Sequence, residues 1–152
     1  MVQCFKNNGR AYNSYKRKKK CKKSFEEKFY NEKTKCLDDV IGDSKIRPNQ
    51  LFSLSLSYPV IDPSSEIAND IISTVEKKLL TPYGLKTLAK GEEGYKESYE
   101  GDMVKRDMSY HQGTIWPWLL GLYYDALNNM IKSEKKKSIK QELEKKKQEF
   151  KE

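Results

Sequence analysis

The spacing of the apolar residues is the feature that most restricts the folds open to this chain. Behind Asp62 and Pro63, a pair typical of a helix start, apolar residues recur every three or four positions, as on one face of a helix. They are Ile67, Ile71, Ile72, Val75 and Leu79, and a second set from about residue 115 comprises Trp116, Leu119, Leu120, Tyr123, Leu127 and Met130. No segment shows the alternation that a half-buried strand requires. The pattern therefore predicts an all-α fold.

Two further helices are predicted from their ends. Ser24 and Glu27 have the spacing of a capping box, so a short helix should begin there. Pro48 suits the first turn of another helix, because its missing N–H costs nothing at that position, and this helix should end before Pro59. Its core-facing residues would be Leu51, Leu54 and Tyr58.

The segment 132–152 is predicted to form a solvated helix. It carries only Ile139, Leu143 and Phe150 among many charges. Pairs such as Glu142 with Lys146, one turn apart, would support it from the solvent side.

The formal net charge of +8 is unevenly distributed. Residues 1–23 hold nine Lys and Arg and no acid, and residues 132–152 hold nine Lys and five Glu. The middle, 24–131, has twelve basic and seventeen acidic residues, so the predicted folded part is mildly acidic. A basic core would favour phosphate-bearing partners, whereas an acidic one favours neutral or cationic ligands.

These charges suggest a division into three parts. Residues 1–23 are predicted to be a basic, disordered lead-in or a segment foreign to the fold, 24–131 to be the folded domain, and 132–152 its next helix. The run Lys16–Lys20 also fits a localisation signal or a nucleic-acid patch. Because the positive charge is confined to the two ends, we expect no nucleic-acid partner.

Cysteine usage and hydropathy limit the cellular compartment and the kinds of site that the sequence predicts. Cys4, Cys21 and Cys36 are an odd number and form no CxxC pair, so neither a disulfide framework nor a metal site is expected, and no cofactor is expected either. The sequence has no run of about 18 apolar residues and no apolar secretory segment at its start. We therefore expect no membrane partner and a cytoplasmic location.

Two polar segments stand out as candidate binding regions. The first is Arg47-Pro48-Asn49-Gln50, where several donors and acceptors crowd at a helix start, as a hydroxyl-rich ligand requires. The alternative is that Arg47 and Asn49 only cap the helix and pair with a neighbouring acid.

The second segment runs from Tyr99 to Trp118 and ends a long glycine-rich loop that begins at Gly84. Loops of that length are usually functional. Its indole and phenol rings could stack on a sugar, and its carboxylates, Glu100, Asp102 and Asp107, are weak candidates for acid–base catalysis of glycoside hydrolysis. The alternatives are a core position for either Trp, a structural role for His111 and a surface position for Asp107.

These segments resemble a known family. "IRPNQLFSLSLSYP", "LLTPYGLKTLA" and "YEGD…RDMSYHQGTIWPWLLGLYYDAL" are similar to the C-terminal amylo-α-1,6-glucosidase domain of glycogen debranching enzymes, as is "SFEEKFYNE". The similarity runs from about Ser24 to Ile131. RPNQ at 47–50 and YHQGTIWPW at 110–118 are specific as an ordered pair.

The resemblance implies a fold, an activity and a site. The fold is an (α/α)6 toroid, of which this chain would hold four or five helices, with the site at the N-terminal ends of the inner helices. The activity is inverting hydrolysis of the α-1,6-linked glucose at a branch point of a glycogen-like glucan. The residues implied to line the sugar site are Arg47, Asn49, Gln50, Asp107, His111, Gln112, Trp116 and Trp118.

The sequence departs from the family in two places. The family's general acid lies in a Trp-Met-Asp type segment upstream of RPNQ, and its general base lies near a Gln-Ala-Trp-Ser stretch downstream of YHQG; neither segment occurs here. We therefore expect a fragment that is inactive alone and that has the chain carrying the missing helices as a potential partner. The alternative is a non-catalytic carbohydrate-binding or regulatory module.

Overall fold

The computed structural model describes residues 8–134 and 137–149, with side chains from Ser14 onward apart from Lys137 and Ser138. The helices are α1 (Asn8–Phe29), a 3-10 helix (Pro48–Leu51) that continues into α2 (Phe52–Ser55), α3 (Glu66–Lys78), α4 (Met103–Ser109), α5 (Leu119–Ser133) and α6 (Lys137–Glu149). The strands are β1 (Tyr30–Asn31), β2 (Cys36–Leu37), β3 (Leu80–Thr81), β4 (Gly84–Lys86) and β5 (Ile115–Trp116).

The core lies between α3, α5 and the segment formed by the 3-10 helix and α2. Its fully buried side chains include Leu51, Leu54, Ile71, Val75, Leu79, Leu85, Tyr123 and Leu127. Burying one such side chain is worth about 1.5–3 kcal/mol relative to leaving it exposed. The predominantly α-helical class is confirmed, and the arrangement is consistent with part of a glycosidase-type helical toroid.

Helix α3 begins three residues later than the sequence predicts. Ser65 is its N-cap and accepts a hydrogen bond from the Ala68 N–H at 3.2 Å. Asp62 instead forms a turn before the helix, accepting hydrogen bonds from the amide and the hydroxyl of Ser64, and these bonds lower the pKa of the Asp62 carboxyl. The predicted core position of Tyr58 is wrong, because the helix ends at Ser55 and Tyr58 is 81% exposed.

The prediction of no strands is wrong in detail. β1 and β2 form an antiparallel hairpin, and β3, β4 and β5 form a three-stranded antiparallel sheet in which Leu85 pairs with Trp116. Each strand has only two or three residues, too few to show an alternating pattern. Gly84 allows the close approach of β4 and β5, since a Cβ there would lie 2.6 Å from the Trp116 carbonyl oxygen.

The prediction of a disordered basic lead-in is wrong for residues 8–23, which belong to α1. This helix crosses the boundary predicted at residue 24. It has no apolar period in its lysine-rich part, but lysine has a high intrinsic helix propensity. The rest of the predicted lead-in, residues 1–7 with Cys4, lies outside the described residues, and the three-part division of the chain stays a prediction.

Helix α6 lies within the segment 132–152 that the sequence predicts to be a solvated helix, and it packs on the core through the buried side chain of Leu143. Lys146, expected to pair with Glu142, forms its salt bridge with Glu76 of α3 at 2.9 Å. The same carboxylate accepts a hydrogen bond from the Tyr123 hydroxyl at 2.8 Å, and burial raises the pKa of that phenol. Phe150 lies outside the described residues. No helix within the described residues has both the length and the apolar character to cross a bilayer.

Candidate functional site

The two polar segments identified in the sequence meet at one cavity of about 510 Å³. A volume of this size is typical of small-molecule sites, which span about 300–1,000 Å³. The residues that line it, here called the main cavity, are Asp39, Asp43, Arg47, Pro48, Asn49, Thr87, Tyr110, His111, Trp116, Trp118 and Leu119.

Arg47 joins the two segments. Its guanidinium donates hydrogen bonds to the carbonyl oxygens of Thr87 at 3.2 Å and His111 at 2.6 Å, and to Oε1 of Gln112 at 3.2 Å. A guanidinium has five N–H donors, so these bonds occupy much of its capacity. Arg47 therefore lines the main cavity, but its side-chain hydrogen bonds go to the protein itself and hold the 110–113 loop against the 3-10 helix.

Gln50 and Gln112 lie behind the cavity wall. Gln50 is only 5% exposed; its amide donates to the Arg47 carbonyl at 2.9 Å and accepts from the Leu37 N–H at 3.4 Å. Gln112 is half-buried beside the Arg47 guanidinium. Neither is among the lining residues, so the structure gives them supporting contacts, and direct sugar contact by either stays a prediction.

Asn49 turns outward, unlike its neighbour Gln50. It is exposed, lines the main cavity and donates to both carboxylate oxygens of Asp39, at 2.9 and 3.2 Å. The expected alternative for Asn49, a pairing with a neighbouring acid, is thus present. A carboxylate has about four acceptor positions, so Asp39 retains capacity for a ligand hydroxyl.

Asp39 and Asp43 are cavity residues that sequence reasoning missed. They flank a tight turn in which the Asp43 N–H donates to the Val40 carbonyl at 2.8 Å and Gly42 has φ +86°. The Nζ of Lys45 lies 3.9 Å from the Asp43 carboxylate. One feature of the sequence could have identified these two residues: they flank a glycine turn that lies shortly before the RPNQ motif.

The opposite wall of the main cavity is aromatic. Trp116 packs against Tyr110 with 4.6 Å between ring centroids and against Tyr99 at 5.7 Å, and its indole N–H donates to the Tyr110 carbonyl at 3.1 Å. The His111 ring lies 4.9 Å from the Tyr110 ring. Trp118, directly before α5, is 62% exposed and so offers a free ring face to a ligand.

The three carboxylates proposed as catalytic candidates lie elsewhere. Asp102 is the N-cap of α4 and accepts from the Lys105 N–H at 2.9 Å. Glu100 is exposed and accepts from the Ser98 hydroxyl at 3.0 Å, and Asp107 is exposed on α4. The main cavity, as the described residues form it, includes none of the three; its carboxylates are Asp39 and Asp43.

This arrangement suits a neutral ligand rich in hydroxyl groups. Carboxylate and amide groups on one side can exchange hydrogen bonds with hydroxyls, while indole and phenol rings on the other can cover C–H faces. Within the described part of the chain, no three His, Cys, Asp or Glu side chains converge as metal ligands would.

Comparison with known proteins agrees with the motif pair. The family model described as amylo-alpha-1,6-glucosidase matches residues 2–152, which extends the resemblance seen over Ser24–Ile131 in both directions. None of the curated proteins matches the chain. Since the family model spans nearly all of the sequence, the chain belongs to the amylo-alpha-1,6-glucosidase family.

Proposed function

We propose that the main cavity binds the α-1,6-linked glucose of a branched, glycogen-like glucan, as the recognition part of a debranching glucosidase site. The observation that carries this proposal is the meeting of the two family motifs at one cavity that has acidic and amide groups on one wall and indole rings on the other. The odd number of cysteines fits a reducing, cytoplasmic setting for it.

In this proposal the walls of the cavity have different tasks. Trp118 stacks on the apolar face of the glucose ring, because its own ring is exposed and lies at the cavity edge. On the opposite wall, Asp39, Asn49 and Asp43 form hydrogen bonds with the hydroxyl groups of the sugar. Arg47 keeps the walls at a fixed separation through its bonds to Thr87, His111 and Gln112, so little ordering is required when the sugar binds.

Glucose binding by the whole chain tests the proposal. Titration with glucose and isomaltose, followed by Trp fluorescence, should give saturable binding that Trp118→Ala and Asp39→Ala each weaken about tenfold, because each removes one wall contact. Asp107→Ala, which alters an exposed carboxylate outside the cavity, is the matched control and should leave the affinity unchanged. Equal affinities in all four proteins would contradict the assignment of this cavity.

We further propose that the chain binds sugar without cleaving it. The Trp-Met-Asp and Gln-Ala-Trp-Ser type segments that supply the family's acid and base do not occur in the sequence, and each such group is worth about 10²–10⁴ in rate. Purified protein at high concentration should therefore release no glucose from a branched dextrin over several hours. Release that disappears in Asp39→Asn or Asp43→Asn would show that the catalytic carboxylates lie in this cavity.

A further inference from the structure

A second cavity of about 290 Å³ adjoins the main cavity. We call it the phenylalanine cleft, after Phe25, Phe29 and Phe52, which line it together with Leu56. Asp39 and Asn49 line both cavities, so the two share a wall. Any ligand that occupies both would pass over this hydrogen-bonded pair.

The two sides of the cleft are held by different parts of the fold. Phe25 and Phe29, near the end of α1, stack with 4.7 Å between ring centroids and 20° between ring planes. Phe52 and Leu56 belong to the α2 region opposite, where Phe52 is 41% exposed. Lys22 of α1 donates to the Pro59 carbonyl at 2.5 Å, which ties α1 to the chain just beyond α2.

The shared wall gives the cleft a polar edge beside apolar faces. Asn49 donates both of its observed side-chain hydrogen bonds to the Asp39 carboxylate, whose remaining lone pairs can accept from a ligand hydroxyl. The remaining lining is mostly phenyl and aliphatic, from Phe25, Phe29, Leu37, Phe52, Leu56 and Val60, with three further polar residues, Asp38, Gln50 and Ser53. Apolar faces next to a hydroxyl acceptor match a sugar ring, which has C–H faces and a polar rim.

We propose that the phenylalanine cleft is a second sugar subsite, which takes the glucose unit next to the one held in the main cavity. This inference rests on the proposed function, because the main cavity must hold the first unit. The volume of the cleft is at the lower end of the range for small-molecule sites, about 300 Å³, and so suits one ring rather than a longer chain. Asp39 and Asn49 then contact the two units on either side of the linkage.

The test compares glucose with isomaltose on the full chain, by isothermal titration calorimetry. Wild type should bind isomaltose more tightly than glucose, because only the disaccharide fills both cavities. Phe52→Ala should weaken isomaltose about three- to tenfold, the effect of losing one aromatic platform, and leave glucose unchanged. Phe52→Tyr, which keeps a ring, should retain the wild-type preference, and Tyr83→Ala, an exposed ring outside both cavities, is the matched control.

The outcomes separate this inference from the proposed function. If Trp118→Ala weakens both sugars while Phe52→Ala changes neither, the main cavity stands and the second subsite is wrong. If neither sugar binds, the proposed function itself is overturned. If Phe52→Ala changes the sedimentation coefficient instead of the isomaltose affinity, the cleft is a contact between copies of the chain, and the subsite is again wrong.

Discussion

The polar and aromatic side chains in and behind the walls of the main cavity fall into two groups that differ in what they contact. Arg47, Gln50 and Gln112 have their hydrogen-bonding groups engaged by the protein itself. Asp39 and Trp118 present acceptor positions or an exposed ring to the cavity. The first group thus forms a frame and the second the surface proposed to bind sugar, and the YHQGTIWPW motif contains both kinds, Gln112 and Trp118. Membership of a motif therefore does not decide whether a side chain faces the ligand.

The frame also depends on backbone that only glycine fits. Gly113 has φ +127°, and a Cβ there would lie 2.4 Å from the Lys96 carbonyl oxygen and 2.6 Å from the Tyr95 ring. Its N–H donates to the Thr87 hydroxyl at 2.9 Å. The loop that carries His111 is consequently fixed at the two residues that follow it, Gln112 and Gly113. Frame and surface should respond to mutation in opposite ways, and three predictions test this.

The largest effect is expected for Gly113→Ala. Backbone strain and the clash with Lys96 each cost about 1–3 kcal/mol, so the free energy of unfolding should fall by about 3–5 kcal/mol. Gly91→Ala is the matched control, since Gly91 has φ +99° but no atom within 4 Å of a Cβ, and it should cost about 1–2 kcal/mol. Urea unfolding measures both. Similar costs for the two variants would show that the loop gives way and is not part of a rigid frame.

The next effect is expected for Arg47→Ala. It removes three hydrogen bonds between Arg47 and the loops; a bond to a buried charged donor contributes about 1.5–3 kcal/mol net, and because Arg47 is only half-buried, water replaces part of each lost bond. We expect a loss of about 2–4 kcal/mol in urea unfolding. Arg47→Lys keeps the charge without the planar fork and should recover less than half of the loss. Full recovery of stability with lysine would mean that the positive charge, and not the three hydrogen bonds of the guanidinium, stabilises the fold.

The smallest effects on stability are expected for two neighbouring residues, Asn49 and Gln50, whose side chains have opposite orientations. Gln50→Ala leaves the Leu37 N–H without its side-chain acceptor and removes the side-chain hydrogen bond to the Arg47 carbonyl, so it should cost about 1–3 kcal/mol of stability. Asn49→Ala changes an exposed side chain, so its stability should stay within about 0.5 kcal/mol of wild type while sugar affinity falls. Thermal unfolding measures the stability of both variants, and fluorescence titration measures their affinity for sugar. If Asn49→Ala were the more destabilising of the two, the division into frame and surface would fail.

The sequence predicts the parts of the fold that have long apolar faces. The faces of α3 and α5 are read correctly from their period, because Ile71, Val75, Tyr123 and Leu127 are all buried. The lysine-rich half of α1 is missed because a solvated helix has no such face to show. The strands are missed because two residues cannot display a period, and their pairing of Leu85 with Trp116 joins distant parts of the chain.

The sequence predicts which segments lie at the main cavity but not which way their side chains turn. The RPNQ and YHQG motifs do meet, and Arg47, Asn49, His111, Trp116 and Trp118 line the cavity. Orientation at Gln50 depends on its hydrogen bond with Leu37, and the position of Asp39 depends on the turn at Gly42. Such contacts are set by the folded backbone and leave no pattern in a single sequence.

Lys146 of α6 and Tyr123 of α5 share the carboxylate of Glu76 in α3, and this affects the order in which the helices separate. Helix α6 is attached through buried Leu143 and the Lys146–Glu76 salt bridge, while α3 and α5 remain joined to each other by the Tyr123–Glu76 bond when α6 leaves. Detachment of α6 is thus a sub-global opening that costs less than complete unfolding. In hydrogen exchange the amides of α6 would lose protection together and ahead of α5. The cavity at the start of α5 can then persist through this fluctuation, so the main cavity can stay formed while part of the chain is unfolded.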